Sequence, residues 1–223
     1  MDKEGVCDLS PMIYYIIPAR QGSKGLPFKN RKLFDITAIT IPEHVKNSTI
    51  VSTDDDHISS LAIDYGFKTH ARSAHVSMDT TNTRELLREV AFDFKMKPED
   101  EIVMMYLTYP QRTFGDVEKI YQFYKDNNGN TLLCKQEATT HPYMCYYSLS
   151  SHKGARVVNH DLYRRQDYPE CFFVSYFVAI LKVEYLNVVN KNLHHPQTLF
   201  YQLDYDSIDI DTEQDLESFT NKG

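Results

Sequence analysis

Short apolar runs alternate with stretches of helical periodicity along most of this chain, and that alternation restricts its fold more than any other feature. Met12–Ile17, Ser48–Ser52, Phe67–Ala71, Glu101–Leu107, Thr131–Lys135, Phe172–Leu181 and Phe200–Leu203 read as strands. Between them, Asp54, Asp55 or Asp56 caps a helix carrying Ile58, Leu61, Ala62 and Tyr65, which stops at Gly66. Asn82 and Glu85 have capping-box spacing and open a helix with Leu86, Leu87, Val90, Ala91 and Phe94 on one face. Val117, Ile120, Tyr121 and Tyr124 mark another helix, ending at Asn127-Asn128-Gly129. A short helix is expected near Val183–Val189 and a terminal one over Thr212–Phe219. Between residues 31 and 47 no helix of normal length fits, because Ile36, Ile39 and Ile41 alternate. Strands separated by helices need crossover connections, which predicts an α/β fold with a mostly parallel sheet and flanking helices.

The first strand runs straight into Pro18-Ala19-Arg20-Gln21-Gly22-Ser23-Lys24-Gly25-Leu26-Pro27-Phe28-Lys29-Asn30. Two glycines and a serine free backbone N–H groups there, and Arg20, Lys24 and Lys29 supply cations. A loop of that kind at a strand end suits a polyphosphate. It is neither a Walker motif nor the dinucleotide Gly-x-Gly-x-x-Gly. Its bland alternative is a solvated basic turn. Near the other end lies Ser207-Ile208-Asp209-Ile210-Asp211-Thr212-Glu213. In extended backbone Asp209 and Asp211 share one face while Ile208 and Ile210 take the other. Paired carboxylates at a cleft suit magnesium, which completes its shell with phosphates and water. On spacing alone, Asp211 with Gln214 fits a helix N-cap equally well.

The 223 residues suffice for one well-buried domain. A net charge of −7 argues against nucleic acid or an anionic membrane as partner, so the cations of the loop act locally. No apolar stretch is long enough to span a bilayer, and the polar start of the chain is unlike a signal peptide. Cys7, Cys134, Cys145 and Cys171 show no metal or redox spacing, which fits a reducing, cytoplasmic setting. From about Thr139 the character changes. Residues 139–173 are rich in tyrosine, serine and histidine, with short β-like runs. Within them, Arg164-Arg165-Gln166 suits a bidentate carboxylate or a solvated turn. Arg72 with Asp79-Thr80 suits a base or ribose contact, or a loop ion pair. Ser52-Thr53-Asp54 reads as strand end plus cap, and no covalent nucleophile can be assembled.

Together these motifs resemble the CMP-sialic acid synthetase family of cytidylyltransferases. The stretch Ala19 to Asn30 is similar to the family's signature loop almost residue for residue. Val51-Ser52-Thr53-Asp54, Arg72-Ser73-Ala74 with Asp79-Thr80, Pro110 with Arg112 and Thr113, Arg165-Gln166 with Pro169, and Ser207 to Glu213 with Asp215-Leu216 follow in the family's order. The resemblance implies a Rossmann-like domain of the nucleotide-diphospho-sugar transferase type over residues 1–223. Residues 139–173 would be a small β-rich dimerisation arm exchanged in a homodimer. It further implies transfer of CMP from CTP to an acidic, sialic-acid-like sugar. Ala19, Arg20, Gly22, Ser23, Lys24, Asn30, Arg72, Asp79 and Thr80 would bind the nucleotide. Asp209 and Asp211 would bind magnesium, with Arg20, Lys24 and Asp211 carrying catalysis. Tyr106, Ser175, Arg165 and Gln166 would lie near the sugar.

The chain also departs from the family. Tyr106-Leu107-Thr108-Tyr109-Pro110 stands where the family has Gln-Pro-Thr-Ser-Pro, and Ser175-Tyr176-Phe177 where it has Asn-Gly-Ala. Larger side chains therefore come to the expected sugar site. A different acidic sugar or hydroxyl acceptor is one alternative. A nucleotide-binding regulator without catalysis is another.

Overall fold

The computed structural model describes residues 10–22, 25–77 and 81–221. Ser23, Lys24, Asp79, Thr80 and Cys7 lie outside the described residues. In chain order the elements are β1 (Ile13–Pro18), α1 (Lys29–Ala38), α2 (Glu43–Lys46), β2 (Thr49–Thr53), α3 (Asp56–Asp64), β3 (Lys68–Ala71), α4 (Thr83–Asp93) and β4 (Glu101–Met104). There follow α5 (Phe114–Asp126), β5 (Thr131–Glu137), β6 (Tyr146–Ser150), β7 (Lys153–Arg156), β8 (Phe172–Lys182), β9 (Leu199–Gln202) and α6 (Glu213–Thr220).

Seven strands form one sheet in the order β3-β2-β1-β4-β8-β5-β9. Only β8 runs against the others, pairing antiparallel with both β4 and β5. The mostly parallel sheet with flanking helices expected from the alternation is therefore present. Side-chain parity divides the core. Tyr15 and Ile17 of β1, with Val103 of β4, join the cluster that packs α1, α3 and α5. Tyr14 and Ile16, with Ile102 and Met104, join the cluster on the α4 face. A strand buried on both faces reads as a continuous apolar run, which is what made β1 legible.

The chain leaves β1 toward β2 on one side and returns to β4 on the other, so the sheet has a switch point at β1. Loops at the carboxyl ends of β1 and β4 diverge there and open a crevice.

Three expectations change. Residues 31–47 do contain a helix, because Leu33, Phe34, Thr37 and Ala38 form its buried stripe. Ile39, whose alternation with Ile36 and Ile41 concealed that stripe, is exposed at the helix end. Val183–Asn187 is a single 3-10 segment rather than an α-helix. Strand β4 stops at Met104 instead of Leu107. Beyond it the buried Arg112 guanidinium donates to the carbonyls of Tyr106 (2.8 Å) and Phe177 (2.6 Å), drawing that backbone into a loop.

Strands β6 and β7 pair only with each other, in a second small sheet. Tyr146, Tyr147, Leu149 and Tyr163 of this segment are exposed. Its base is tied by ring contacts: Tyr143 stacks on His160 at 4.3 Å and meets His141 edge to face at 4.7 Å between centroids.

Candidate active site

Strand β1 delivers Ala19 and Arg20 to the crevice. Ala19 is anchored by donating its N–H to the Ser52 carbonyl (2.8 Å) and by accepting the Thr53 hydroxyl (2.6 Å). Gln21 N–H donates to Asp54 (2.5 Å), and Asn30 Nδ2 donates to the Arg20 carbonyl (2.8 Å). The loop is thus tied at one end to the end of β2 and the residue after it, and at the other to α1. Gly22 takes φ +78°, a left-handed value that a side chain would oppose. Arg31 forks onto Asp55 at 2.7 and 2.9 Å, and the Asp55 carboxylate also caps α3, accepting the His57 N–H.

The carboxylate segment comes to this loop from nearly two hundred residues away. Ile210 is fully buried and donates its N–H to the Thr108 carbonyl (2.8 Å), and Gln111 Nε2 donates to the Ile208 carbonyl (3.0 Å). Asp209 and Asp211 consequently face the crevice on either side of a core isoleucine. Helix α6 is capped by Thr212 with Asp215 in a capping box, and Asp215 also accepts the Asp211 N–H. The Asp211 carboxylate is therefore no N-cap. It accepts from Lys29 Nζ at 2.6 Å. Gly25 seals the junction, since a Cβ there would stand 2.4 Å from the Asp211 carbonyl oxygen.

These groups enclose a cavity of about 350 Å³. Arg20, Gly22, Asn30, Arg72, Tyr106, Asp209 and Asp211, all expected from sequence, line it. Burial, aided by neighbouring Arg20, draws the Arg72 guanidinium down to about 10, which leaves it cationic at neutral pH. Asp209 is pushed above the usual carboxylate range by desolvation, with nearby Asp211 adding to it. The hydroxyls of Thr108 and Tyr109 oppose that rise, Tyr109 donating to Asp209 at 3.0 Å. An electron-poor ligand would thus find a carboxylate that is short of water.

Other expected residues do not line the cavity. Ser175 is buried outside the cavity wall, where its hydroxyl accepts the Phe177 N–H (3.3 Å). Arg165 and Gln166 sit in an exposed 3-10 turn of the small-sheet segment and do not line this chain's cavity. Ala19 is fully buried and does not line the cavity. The cavity adds Lys29, Thr83, Thr108 and Tyr176. Lys29 was visible as the third loop cation, and the bulk at Tyr176 was visible too. Tyr109 carried no local signal, since its partner Asp209 lies a hundred positions away.

Two carboxylates fit magnesium, which commonly takes one or two from protein and the rest from phosphate and water. The described residues hold no cluster of three or more His, Cys, Asp or Glu suited to a metal. Any ion would therefore depend on ligand oxygens. Among the described residues no helix is long and apolar enough to cross a membrane.

The family model described as Cytidylyltransferase matches residues 14–148. The "Post-translational flagellin modification protein B" of Campylobacter coli is 26% identical over 212 residues, covering 90% of each chain. An N-acylneuraminate cytidylyltransferase of Streptococcus agalactiae is 27% identical over 215 residues, covering 90% of this chain. The chain spans 51% of that relative's length. Among solved structures, a CMP:2-keto-3-deoxy-manno-octonic acid synthetase complexed with CTP superposes with a TM-score of 0.65, at 14% identity, covering 95% of this chain and 98% of its own. That likeness establishes the fold as the one shared by nucleotidyltransferases.

Proposed function

Because the chain belongs to the cytidylyltransferase family, we propose that it transfers CMP from CTP to the anomeric hydroxyl of an acidic, sialic-acid-like ulosonic sugar. The observation that carries this reading is the junction of the cationic loop and the Asp209–Asp211 segment in one cavity, locked by Gly25 and Lys29. The relatives named for N-acylneuraminate transfer support the choice of acceptor.

Arg20, Lys29 and the loop residues Ser23 and Lys24 would hold the triphosphate. Asn30 keeps Arg20 in place through its carbonyl, and Arg72 adds positive charge deeper in the cavity. The sugar hydroxyl oxygen would form a bond to the α-phosphorus, its O–H bond breaking with release of the proton to water, while the bond from that phosphorus to the bridging oxygen breaks. Pyrophosphate leaves with the electron pair, stabilised by Arg20 and Lys24. Asp209 and Asp211 would hold magnesium, which when bound neutralises phosphate charge and lowers the pKa of a coordinated hydroxyl. Tyr109 orients Asp209, and Lys29 orients Asp211.

The exposed apolar residues of 139–173 support that segment as the arm of a homodimer. Arg165 and Gln166 would then meet an acidic sugar only in the cavity of a second copy. A CTP-dependent reaction and unpaired Cys134, Cys145 and Cys171 fit the cytoplasm.

The test is pyrophosphate release with CTP and magnesium over sialic, legionaminic, pseudaminic and deoxy-octulosonic acids. Asp211→Asn should abolish release with the fold intact, because the Asp211 side chain is 69% exposed. Unchanged release would remove the metal assignment.

A further inference from the structure

Glu89 is a carboxylate on the packed face of α4. With Leu86, Val90 and Asp93 it follows the spacing of one helical stripe, and Leu86 and Val90 are buried against the sheet. The Glu89 side chain is only 22% exposed. A charge so placed needs partners. It finds them on the residue that follows Arg72. Ser73 donates its backbone N–H to Oε1 (2.9 Å) and its hydroxyl to Oε2 (2.6 Å). Desolvation opposes the charge, but these two donors outweigh it and hold the carboxyl below its usual range, with His70 and His75 adding to the effect. His70 Nε2 backs the same carboxylate from the sheet side, 3.5 Å from Oε1.

The clasp lies where the chain leaves β3. Arg72 extends that strand's pairing by one residue, donating its N–H to the Thr53 carbonyl (3.2 Å), while its Nε donates to the Ser52 carbonyl (3.2 Å). Just beyond, the Ser73 carbonyl accepts the N–H and the hydroxyl of Ser77, at 3.1 and 3.0 Å, and closes a turn. Arg72 is therefore gripped from β2 on one side and, through Ser73, from α4 on the other.

The grip matters because Arg72 is a desolvated cation near Arg20. Burial and that like charge favour its escape to water, against the pull of Asp54 and Glu89. A backbone pinned on both sides of Arg72 opposes the escape and keeps the guanidinium in the cavity wall. Neither Glu89 nor Ser73 lines the cavity, so any effect of theirs on a ligand passes through Arg72.

We infer that Glu89, through Ser73, is a positioning residue that holds Arg72 in the cavity for the nucleotide. The inference rests on the cytidylyltransfer reading and adds to it a residue outside the cavity.

The experiment measures CTP affinity by titration calorimetry, with magnesium and no acceptor, beside the thermal melting of each variant. Arg72→Ala sets the scale and should weaken CTP by about tenfold or more, the loss expected for a contact to a charged group. Glu89→Ala should reproduce most of that loss. Glu89→Gln, which keeps an acceptor oxygen for one Ser73 donor, should recover part of it. Ser73→Ala deletes only the hydroxyl of an exposed residue and should fall between wild type and Glu89→Ala. It carries the test if Glu89→Ala fails to fold. In the Arg72→Ala background, Glu89→Ala should add less than about twofold. A role confined to stability would lower Tm yet leave CTP affinity within about twofold of wild type in both Glu89→Ala and Ser73→Ala, and that result overturns the inference. An equal loss from Glu89→Ala with and without Arg72 overturns it as well. Arg72→Ala that binds CTP as wild type does also overturns it, and leaves cytidylyl transfer standing. Wild-type protein that binds no CTP overturns the underlying reading, and the inference with it.

Discussion

Replacing Gly25 by alanine probes the contact that joins the two halves of the site. The added Cβ would stand 2.4 Å from the Asp211 carbonyl oxygen and 3.4 Å from its carbon. Ordinary contact begins near 3.4 Å, so loop and carboxylate segment must separate by about 1 Å. The obstruction is backbone, which cannot rotate aside. Displacing a catalytic group by that much costs on the order of 100-fold in rate. Gly25 itself is exposed, so the stability loss should sit at the low end of the roughly 1–3 kcal/mol typical of overpacking. For a chain of this size that is a fall in Tm of about 2–4 °C. Pyrophosphate release and thermal melting measured on one preparation separate the two effects. Gly22→Ala is the control: its Cβ meets nothing within 4 Å and only its positive φ is strained. Gly25→Ala turnover within about threefold of wild type would refute the idea that this contact sets the position of Asp211.

Three further outcomes follow from other contacts. Lys29→Met removes the cation 2.6 Å from Asp211 and should lower turnover at least about 100-fold, yet move Tm little because Asp211 is largely solvated. Arg112→Leu leaves the carbonyls of Tyr106 and Phe177 without their buried donor, costing about 1–3 kcal/mol for each. Calorimetry should show that loss, and an unchanged Tm would remove Arg112 as the brace of the loop. His70 is buried, with Ser52 Oγ 3.0 Å from Nδ1 and Asp93 and Glu89 at 3.2 and 3.5 Å from Nε2. Burial lowers its pKa despite the two carboxylates, and nearby Arg72 acts in the same direction. The unfolded chain then takes up a proton first, so stability is complete above the unfolded value near 6.5 and declines as pH falls below it. Urea titrations across pH 5–8 should show that slope in the wild type and lose it in His70→Gln.

Legibility followed the range of the interactions. Strand β1, the loop after it, and helices α4 and α5 were readable because each pattern is local: a continuous apolar run, small residues with cations, the Asn82 cap, and the apolar face of Val117, Ile120, Tyr121 and Tyr124. The pairing of Asp209 with Asp211 across buried Ile210 was also readable from a two-residue period. Helix α1 was not, because exposed Ile39 mimicked a strand alternation that burial does not support. Ser175, Arg165 and Gln166 do not line this chain's cavity, and their positions were not legible because they depend on how β8 and the small sheet are placed in space. Tyr109 was missed for the same reason, since nothing near it in sequence announces Asp209. Lys29 was seen as a charge, but its partner is 182 residues away.

The most direct test of the account is pyrophosphate release from CTP, UTP, ATP and GTP in turn, with magnesium and the ulosonic acid panel. Release from CTP alone, dependent on both an acidic sugar and magnesium and lost in Asp211→Asn, is the predicted result. Release that is indifferent to the nucleotide, or undiminished in Asp211→Asn, would contradict the assignment of this cavity to metal-assisted cytidylyl transfer.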